Sequence, residues 1–458
     1  MKSMAHSKQD SEKPLQWWQL SLLGVACTIG TGFFLGSSIA ITMAGPSVLL
    51  VYIIAAFGTY FVFEALAKMT IYDPQKGSFR SYAKKAYGRW AGFSSGWVYW
   101  ASEMLIIGSQ MTALSIFSQL WFPDLPLWLL ASIYAALGLL VIIAGSKSFD
   151  RTENLLAVLK ISAIFMFIIL ASLALFGLIG TDPDGTHIPR TVEDVFPHGL
   201  KGLLPASIYG FYGFGGIEIM GLLAVRLKQM KDAPKSGKVM LLTLGLIYVF
   251  SIGLALIMVA QADFSHEESP FVTALTAYAI PYVNHVFNGV FIIAGFSTMV
   301  ASMFAVIRIL VTLAEDQDAP RLFAKKIHHK WELPAILLTT LGIIVSIVLS
   351  IFMPDQMYEY VTTAAGLMLL YNWIFILGSY GRLLNLTKKE QIKRLIGFLF
   401  ILLGVIGTVF HATSRPGFFV SLLFLFLIAI VTLIMNHLWK KKGDGNKPSL
   451  TLFTKTTR

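Results

Sequence analysis

The sequence predicts an all-α integral membrane protein. Of its 458 residues, 56% are hydrophobic and only 13% are charged, which is about half the charged share of a soluble globular protein. The mean hydropathy of +0.70 indicates that the chain lacks the polar residues needed to cover a soluble domain. The apolar residues form long runs without the alternation of a transmembrane β-strand.

Twelve apolar segments reach the length of about 20 residues that a helix needs to cross a bilayer. The predicted spans are 17–43, 46–69, 91–120, 127–146, 155–180, 200–225, 239–261, 283–313, 334–353, 357–382, 393–412 and 417–439. The first run is too long for the core of a signal peptide and no small-residue cleavage site follows it, so we expect no processing.

The basic residues predict which side of the membrane each loop faces. The N-terminus, every second loop and the C-terminus together contain 30 Lys and Arg, whereas the opposite loops contain only Arg190, Lys201 and Arg415. Cytoplasmic loops carry such an excess, so both termini of this multi-pass protein are predicted to lie on the cytoplasmic side of the cell membrane. The net charge of +11 then reflects these loops and the attraction of the basic tail to lipid headgroups, not nucleic acid.

The first and sixth spans contain glycine clusters that predict a break in each helix. They read TIGTGFFLG at 28–36 and GFYGFGGIE at 210–218. Each glycine inside a helix costs on the order of 1 kcal/mol relative to alanine, and unwound backbone at membrane depth survives only where protein buries it or it lines a cavity. Freed N–H groups suit a carboxylate and freed carbonyls suit an ammonium. Two breaks therefore predict a site for a zwitterion, although Gly32 and Gly36 also have the G-x-x-x-G spacing of a packing contact.

The positions of the two breaks predict an inverted repeat. They lie five spans apart, and because five is odd the second set of five helices enters from the opposite side. The predicted organisation is an N-terminal tail at 1–16, a ten-helix transport core at 17–382, a peripheral helix pair at 383–439 and a basic tail at 440–458.

Four segments in order resemble the amino acid transporter family of the APC (amino acid–polyamine–organocation) superfamily. They are residues 28–37, the run from 77–79 to 96–100, residues 214–218 and residues 308–320. The resemblance covers nearly the whole chain and implies the LeuT fold, a five-plus-five inverted repeat, in an amino acid permease. The sequence departs from the family at Lys68 and Arg226, where the family usually has Glu.

The resemblance implies a position for each end of the substrate. The carboxylate would bind at Gly30, Thr31 and Gly32, and the ammonium would meet the backbone carbonyls of Thr28, Tyr212 and Gly215. The dipoles of the broken helices favour the same arrangement. Tyr212 would close over the substrate, and the other candidates for the pocket are Ser102, Glu103, Ile107 and residues of the eighth and tenth spans, none of which the sequence singles out.

Few ionisable residues lie inside the predicted spans, and each needs an explanation. Proton-coupled relatives place a lysine where this chain has Lys160, in the space that sodium fills in sodium-coupled members; the alternative is a lysine that reaches the membrane surface. Glu218 is a structural or a proton-linked carboxylate. Glu103 could attract a cationic side chain, pair with Arg308 or a proton, or face a neighbouring helix. Arg308 itself is more consistent with a cytoplasmic anchor.

We therefore expect a secondary active transporter that imports a neutral or apolar amino acid by alternating access, with a proton and not sodium as the coupling ion. A cationic amino acid permease and an exchanger are alternatives. A channel or a sensor is a more remote alternative. A channel would need a polar stripe or charged ring and a sensor would need a large soluble domain, and the sequence shows neither feature.

No metal, cofactor or enzyme activity is expected, because Cys27 is the single cysteine and no P-loop or H-E-x-x-H motif is present. The expected partners are the amino acid and the lipid bilayer, and the oligomeric state stays open.

Overall fold

The computed structural model describes residues 14–75, 77–181, 185–224, 227–325, 332–353 and 356–441, with the backbone alone at 146–155, 157 and 222. Within these residues the chain is helical, and the only β-type pairing is one bridge between Leu15 and Leu227. The predictions for most of the N-terminal tail, for Arg226 and for the end of the basic tail fall on residues outside the described ones.

Eighteen α-helices follow one another in the described residues, and we number them in chain order. They are Trp17–Thr28 (α1), Thr31–Phe34 (α2), Gly36–Ala44 (α3), Val48–Tyr72 (α4), Ser78–Tyr87 (α5), Arg89–Ser118 (α6), Leu127–Ala144 (α7), Ser146–Leu175 (α8), Val192–Val195 (α9), Gly199–Tyr212 (α10), Ile217–Leu223 (α11), Ala233–Met258 (α12), Pro270–Ala277 (α13), Val283–Glu315 (α14), Leu333–Phe352 (α15), Met357–Leu383 (α16), Lys388–Phe410 (α17) and Arg415–Lys441 (α18).

The described residues contain nine helical stretches that are long and apolar enough to cross a membrane. The first two of the twelve predicted spans share one of these stretches, Thr31–Tyr72. The predicted spans at α6 and at α10–α11 are not among the nine, for two different reasons. Helices α10 and α11 are short because a break separates them. Helix α6 has 30 residues, but it buries Glu103, Gln110 and several serines and threonines. Its low hydropathy therefore reflects a polar face directed at the protein interior.

Loops that the charge pattern assigns to the same side contact one another. On the side rich in Lys and Arg, which we call the basic side, Lys68 at the end of α4 bonds to Glu390 at the start of α17 at 2.7 Å. On that side Arg89 of α6 also pairs at 3.0 Å with Asp318, which follows α14.

The opposite side, which we call the acidic side, has its own contacts between loops. The N–H of Thr181 donates to the carbonyl of Tyr278 at 3.0 Å, and the N–H of His187 donates to the carbonyl of Ile257 at 2.8 Å. The loop after α8 is thereby joined to the ends of α12 and α13, as the predicted sidedness requires.

Helix α6 packs extensively against both α14 and α16. Aromatic stacking holds the short helix α2 against α14 and α12: the ring of Phe34 lies 4.3 Å from that of Phe291 in α14, and the ring of Phe33 lies 3.9 Å from that of Tyr248 in α12. Helices α15, α17 and α18 instead expose large apolar side chains, such as the 70% exposed Leu433, on surfaces that suit lipid.

Candidate functional site

The first predicted break lies between α1 and α2. Helix α1 ends at Thr28 and α2 begins at Thr31, with Gly30 extended between them. Any residue can adopt this backbone, but a Cβ at Gly30 would lie 3.0 Å from Oγ1 of Thr298. In the described residues the N–H groups of Thr31 and Gly32 meet no backbone acceptor, as expected for the first turn of a helix. The Thr31 hydroxyl is also buried without a hydrogen-bond partner.

The second predicted break lies between α10 and α11. Helix α10 ends at Tyr212, and α11 begins at Ile217 after four turn residues. The last of these, Gly216, has a φ of +108°, a left-handed conformation that favours glycine. The hydroxyl of Tyr248 donates to the carbonyl of Gly213 at 2.9 Å, so the unwound backbone is held from α12.

The two breaks lie against each other. A Cβ at Gly32 would lie 2.6 Å from Cδ1 of Tyr212, so the tyrosine ring covers the start of α2. A Cβ at Gly216 would lie 3.6 Å from Oγ1 of Thr28 and 3.7 Å from the carbonyl oxygen of Cys27. The N–H groups at the start of α2 and the carbonyl groups at the end of α1 therefore both lie against the second break.

The carbonyl end of α1 is where Lys160 lies. The break removes the N–H of Gly30 from the carbonyl of Ala26, and the ammonium of Lys160, on α8, lies 3.3 Å from that oxygen. Lys160 is fully buried, so its ammonium does not reach the membrane surface. The hydroxyl of Thr28 donates back to the carbonyl of Gly24 at 2.8 Å, which leaves the Thr28 carbonyl at the open end of the helix.

Helix α16 closes the site from another direction. The hydroxyl of Tyr358 donates to the carbonyl of Thr31 at 3.1 Å. Further along α16, Thr362 bonds to Ser109 of α6 at 2.6 Å, and Ser109 in turn lies beside the hydroxyl of Tyr212. A chain of hydroxyl groups therefore connects α2, α16, α6 and the end of α10.

Glu218 stabilises the second break. One carboxylate oxygen accepts the N–H of Gly216 at 3.2 Å, and the other accepts the indole N–H of Trp373 on α16. Glu218 is fully buried. These contacts give the carboxylate a structural role at the start of α11.

Glu103 lies in the same interior on α6, and it is 5% exposed. Its neighbours are hydroxyl groups, those of Ser302 on α14 and Tyr99 on its own helix. The Tyr99 hydroxyl is buried beside Glu103 and lies within electrostatic range of Glu218. Arg308 is exposed, in agreement with an anchor at the basic side.

The remaining predicted pocket residues have other contacts. The hydroxyl of Ser102 donates to the carbonyl of Ala365 on α16 at 3.3 Å, and Ile107 belongs to an apolar cluster formed by α6, α7, α14 and α15. A Cβ at Gly215 would lie 3.1 Å from Leu369 of α16. These contacts do not connect Ser102 or Ile107 to α2, whereas Gly215 lies in the second break itself.

Sequence reasoning missed several polar residues that the structure brings to the two breaks. They are Gln110, Thr298, Tyr358, Thr362 and Trp373. All of them are buried and lie on helices α6, α14 and α16. The available signal was polar residues within otherwise apolar helices, which at membrane depth face the protein interior.

The two ends of the first span differ in exposure. Residues 31–41, on the acidic side of the break, are all buried. On the basic side of the breaks, Cys27, Gly215, Gly216 and Ile219 are partly exposed. The site is therefore closed towards the acidic side and partly open towards the basic side.

Comparisons with known proteins identify the family of the chain. A family model described as amino acid permease matches residues 19–443. The chain is 54% identical over 447 residues to a Bacillus subtilis protein named as the transporter YcgH, covering 97% of this chain and 100% of that one. It is 29% identical over 387 residues to an L-asparagine permease of Salmonella typhimurium, with 81% and 76% covered. It is 26% identical over 452 residues to the aromatic amino acid transport protein AroP of Escherichia coli, with 96% and 98% covered. With a family match that spans most of its length, the chain belongs to the amino acid permease family.

Proposed function

We propose that this protein is a secondary active transporter that imports an amino acid across the cytoplasmic membrane by alternating access. The observation that carries the proposal is the contact between the two breaks. Unbonded N–H groups of Thr31 and Gly32 lie at the start of α2, and the open carbonyl end of α1 lies against Gly216. Amide groups at a helix start attract a carboxylate, and carbonyls at a helix end attract an ammonium. A free amino acid carries both charges.

The proposal includes a topology. Helices α1–α3 together form the first of twelve spans and α10–α11 form the sixth, so that spans 1–5 and 6–10 are inverted repeats of the LeuT type. The last two spans, α17 and α18, are peripheral, which agrees with their exposed apolar faces. The basic side is cytoplasmic because it carries the excess of Lys and Arg, and the acidic side is extracellular. With residues 31–41 buried, the described conformation is closed to the outside.

We also propose that transport is coupled to protons. Lys160 is buried on α8 with its ammonium 3.3 Å from the carbonyl of Ala26. A fixed ammonium supplies the positive charge that a bound sodium ion would otherwise supply to these carbonyls. Loss of the proton from Lys160 would remove that charge and release the end of α1, which links proton transfer to movement at the site.

The substrate class we favour is a neutral or apolar amino acid, in keeping with the apolar residues around the site. A cationic substrate is the second candidate because Glu103 is a buried carboxylate whose neighbours are hydroxyl groups. The two candidates separate in a competition assay with Glu103→Gln. If Glu103 binds a cationic side chain, this variant loses inhibition by basic amino acids and keeps inhibition by neutral ones. If the substrate is neutral, the ranking of competitors stays as in the parent protein.

Purified protein reconstituted in liposomes tests the main proposal. Labelled amino acids are supplied outside, with and without an inward proton gradient and with sodium absent. We expect accumulation of at least one amino acid that is stimulated by the gradient. Exchange without net accumulation would favour an exchanger, and the absence of both uptake and exchange for all twenty amino acids would contradict a transporter. Currents without saturation would instead indicate a channel.

A further inference from the structure

Three segments meet at the acidic side, directly beyond the buried residues 31–41. They are the loop between α12 and α13, the end of α3 and the start of α16. His266 of the loop has its Nε2 2.8 Å from Oγ1 of Thr42 on α3. Its Nδ1 forms an ion pair with the carboxylate of Glu359 on α16. One imidazole thus connects the loop to both helices.

The charge of His266 decides how strongly it is held. Its Nδ1 lies against the carboxylate of Glu359, and the two form an ion pair when the imidazole is protonated. The hydroxyl of Thr42 can donate to the carbonyl of Ile39 at 2.8 Å and accept from the N–H of a charged imidazolium at Nε2. A neutral imidazole with its proton on Nδ1 keeps a hydrogen bond to Glu359 and can accept from Thr42, so loss of the second proton removes the ion pair but not the hydrogen bonds.

The surroundings of this contact contain few other charges. Glu267 lies next to His266 on the loop, and His411, between α17 and α18, lies within electrostatic range of both His266 and Glu359. The hydroxyl of Tyr209 on α10 is close to Glu359. Glu359 is only 6% exposed, and one of its oxygens is buried without a partner.

His266 is the histidine of this cluster that pairs directly with Glu359. The hydrogen bond to Glu359 raises the pKa of His266 above its ordinary value. His411 lies within electrostatic range of the pair, and the ion pair itself joins His266 to Glu359.

We propose that His266 is a pH-sensitive latch that holds the loop between α12 and α13 on α3 and α16, and so keeps the outer side of the site closed. The loop is held by a second bond independent of pH, from the hydroxyl of Ser38 to the carbonyl of Ser265 at 2.7 Å. Loss of the proton from His266 removes the ion pair with Glu359, so it loosens the latch without detaching the loop.

The direction of the pH effect follows from the raised pKa of His266. A group whose pKa is raised in one state stabilises that state fully below its ordinary pKa, and the stabilisation is lost as the pH rises through the raised value. The closed outer side is therefore favoured in an acidic medium and released in an alkaline one. That this side is the outer one rests on the proposed function and orientation, but the latch itself can be detected without transport.

Accessibility of a single cysteine tests the latch. Cys27 is replaced by serine, and Gly36→Cys is added beneath the latch; a Cβ there meets its neighbours at 3.5 and 3.6 Å, which are ordinary contacts. Labelling by a membrane-impermeant maleimide is followed in right-side-out vesicles from about pH 5.5 to about pH 8.5, a range that brackets histidine titration. Each rate is divided by that of the His266→Gln variant at the same pH, which cancels the ionisation of the thiol.

We expect the labelling rate of the parent divided by that of His266→Gln to be about one tenth to one fifth at acidic pH, because the variant lacks the bond to a charged group. The ratio should approach unity at alkaline pH. Glu359→Gln should behave like His266→Gln, while the control His187→Gln, on the same side, should match the parent. A ratio that does not change with pH would overturn the latch.

Unfolding midpoints give a second measurement. The midpoint of the parent should be higher than that of His266→Gln at acidic pH only, and an equal difference at every pH would contradict the proposal. Absence of amino acid uptake would contradict the proposed function and leave this result intact.

Discussion

The ammonium nitrogen of Lys160 lies 3.3 Å from the carbonyl oxygen of Ala26. This carbonyl is in the last turn of α1, where the break removes its helical N–H donor. The contact joins α8 to the open end of α1. Because Lys160 is fully buried, its charge has to be compensated by such dipoles or lost. Under the proposed coupling, the position of α1 depends on whether Lys160 carries its proton.

Replacement of Lys160 by alanine should uncouple uptake from the proton gradient. We expect gradient-driven accumulation to fall by about tenfold or more, since an interaction of a buried charge is lost, while exchange of labelled for unlabelled amino acid persists. The measurement is uptake in proteoliposomes with and without the gradient. Lys201→Ala is a matched control, because Lys201 is an exposed lysine on the acidic side. Full gradient dependence in Lys160→Ala would contradict the proposed coupling.

Thr31 and Thr298 allow substrate binding to be separated from structure. The Thr31 hydroxyl is buried without a partner, whereas the Thr298 hydroxyl donates to the side chain of Gln110. Thr31→Val should therefore raise the KM for uptake by about threefold to tenfold, since one hydrogen bond to a charged group is lost, with no loss of thermal stability. Thr298→Val should lower the unfolding midpoint. An unchanged KM in Thr31→Val would remove the hydroxyl from the substrate site.

Gly32 and Gly36 differ in the space available for a side chain. A Cβ at Gly32 would lie 2.6 Å from Cδ1 of Tyr212, and a Cβ at Gly36 would meet no atom closer than 3.5 Å. Gly32→Ala should displace the tyrosine ring, and since overpacking costs about 1–3 kcal/mol we expect uptake to fall by at least about tenfold. Gly36→Ala should retain most of its activity. Equal effects of the two substitutions would show that the Tyr212 contact is not important for transport.

Much of the site could be predicted because its basis is local. The glycines at 30, 32, 213, 215 and 216 mark the breaks through helix propensity alone, and the structure breaks α1–α2 and α10–α11 at those positions. The dipole argument that follows needs no tertiary information. The burial of Lys160 was likewise one of the two alternatives that its place in a predicted span allowed.

The rest of the site depends on the rotation of long helices about their axes. The spacing of residues does not reveal that Tyr358 reaches the carbonyl of Thr31, 327 positions away in sequence. Similarly, Ser102 and Ile107 lie near Glu103 in sequence but face α16 and an apolar cluster, because successive residues of a helix point about 100° apart. The contact between His266 and Glu359 requires a loop and a distant helix end to meet, and no local pattern encodes it.

Lys68, where the family usually has Glu, is part of a charge cluster at the basic side. Its ammonium lies 2.9 Å from Glu64 on α4 and 2.7 Å from Glu390 on α17, and Lys393 bonds to Glu64 at 2.8 Å. The swap of charge at Lys68 is therefore matched by acids on α4 and α17. We expect Lys68→Glu to destabilise the protein by on the order of 1 kcal/mol, since three acids would then meet at a partly exposed site.

The charge exchange can be reversed to test this explanation. In the double variant Lys68→Glu with Glu390→Lys, a glutamate and a lysine again face each other, and the unfolding midpoint should return most of the way to that of the parent. Lys238→Glu provides the control for net charge, since Lys238 is exposed and its reversal should leave the midpoint nearly unchanged. If the double variant is no more stable than Lys68→Glu alone, the pairing of α4 with α17 does not explain the basic residue at position 68. If stability is restored but uptake is not, Lys68 has a role in transport besides pairing α4 with α17, because the salt bridge would then be present without uptake.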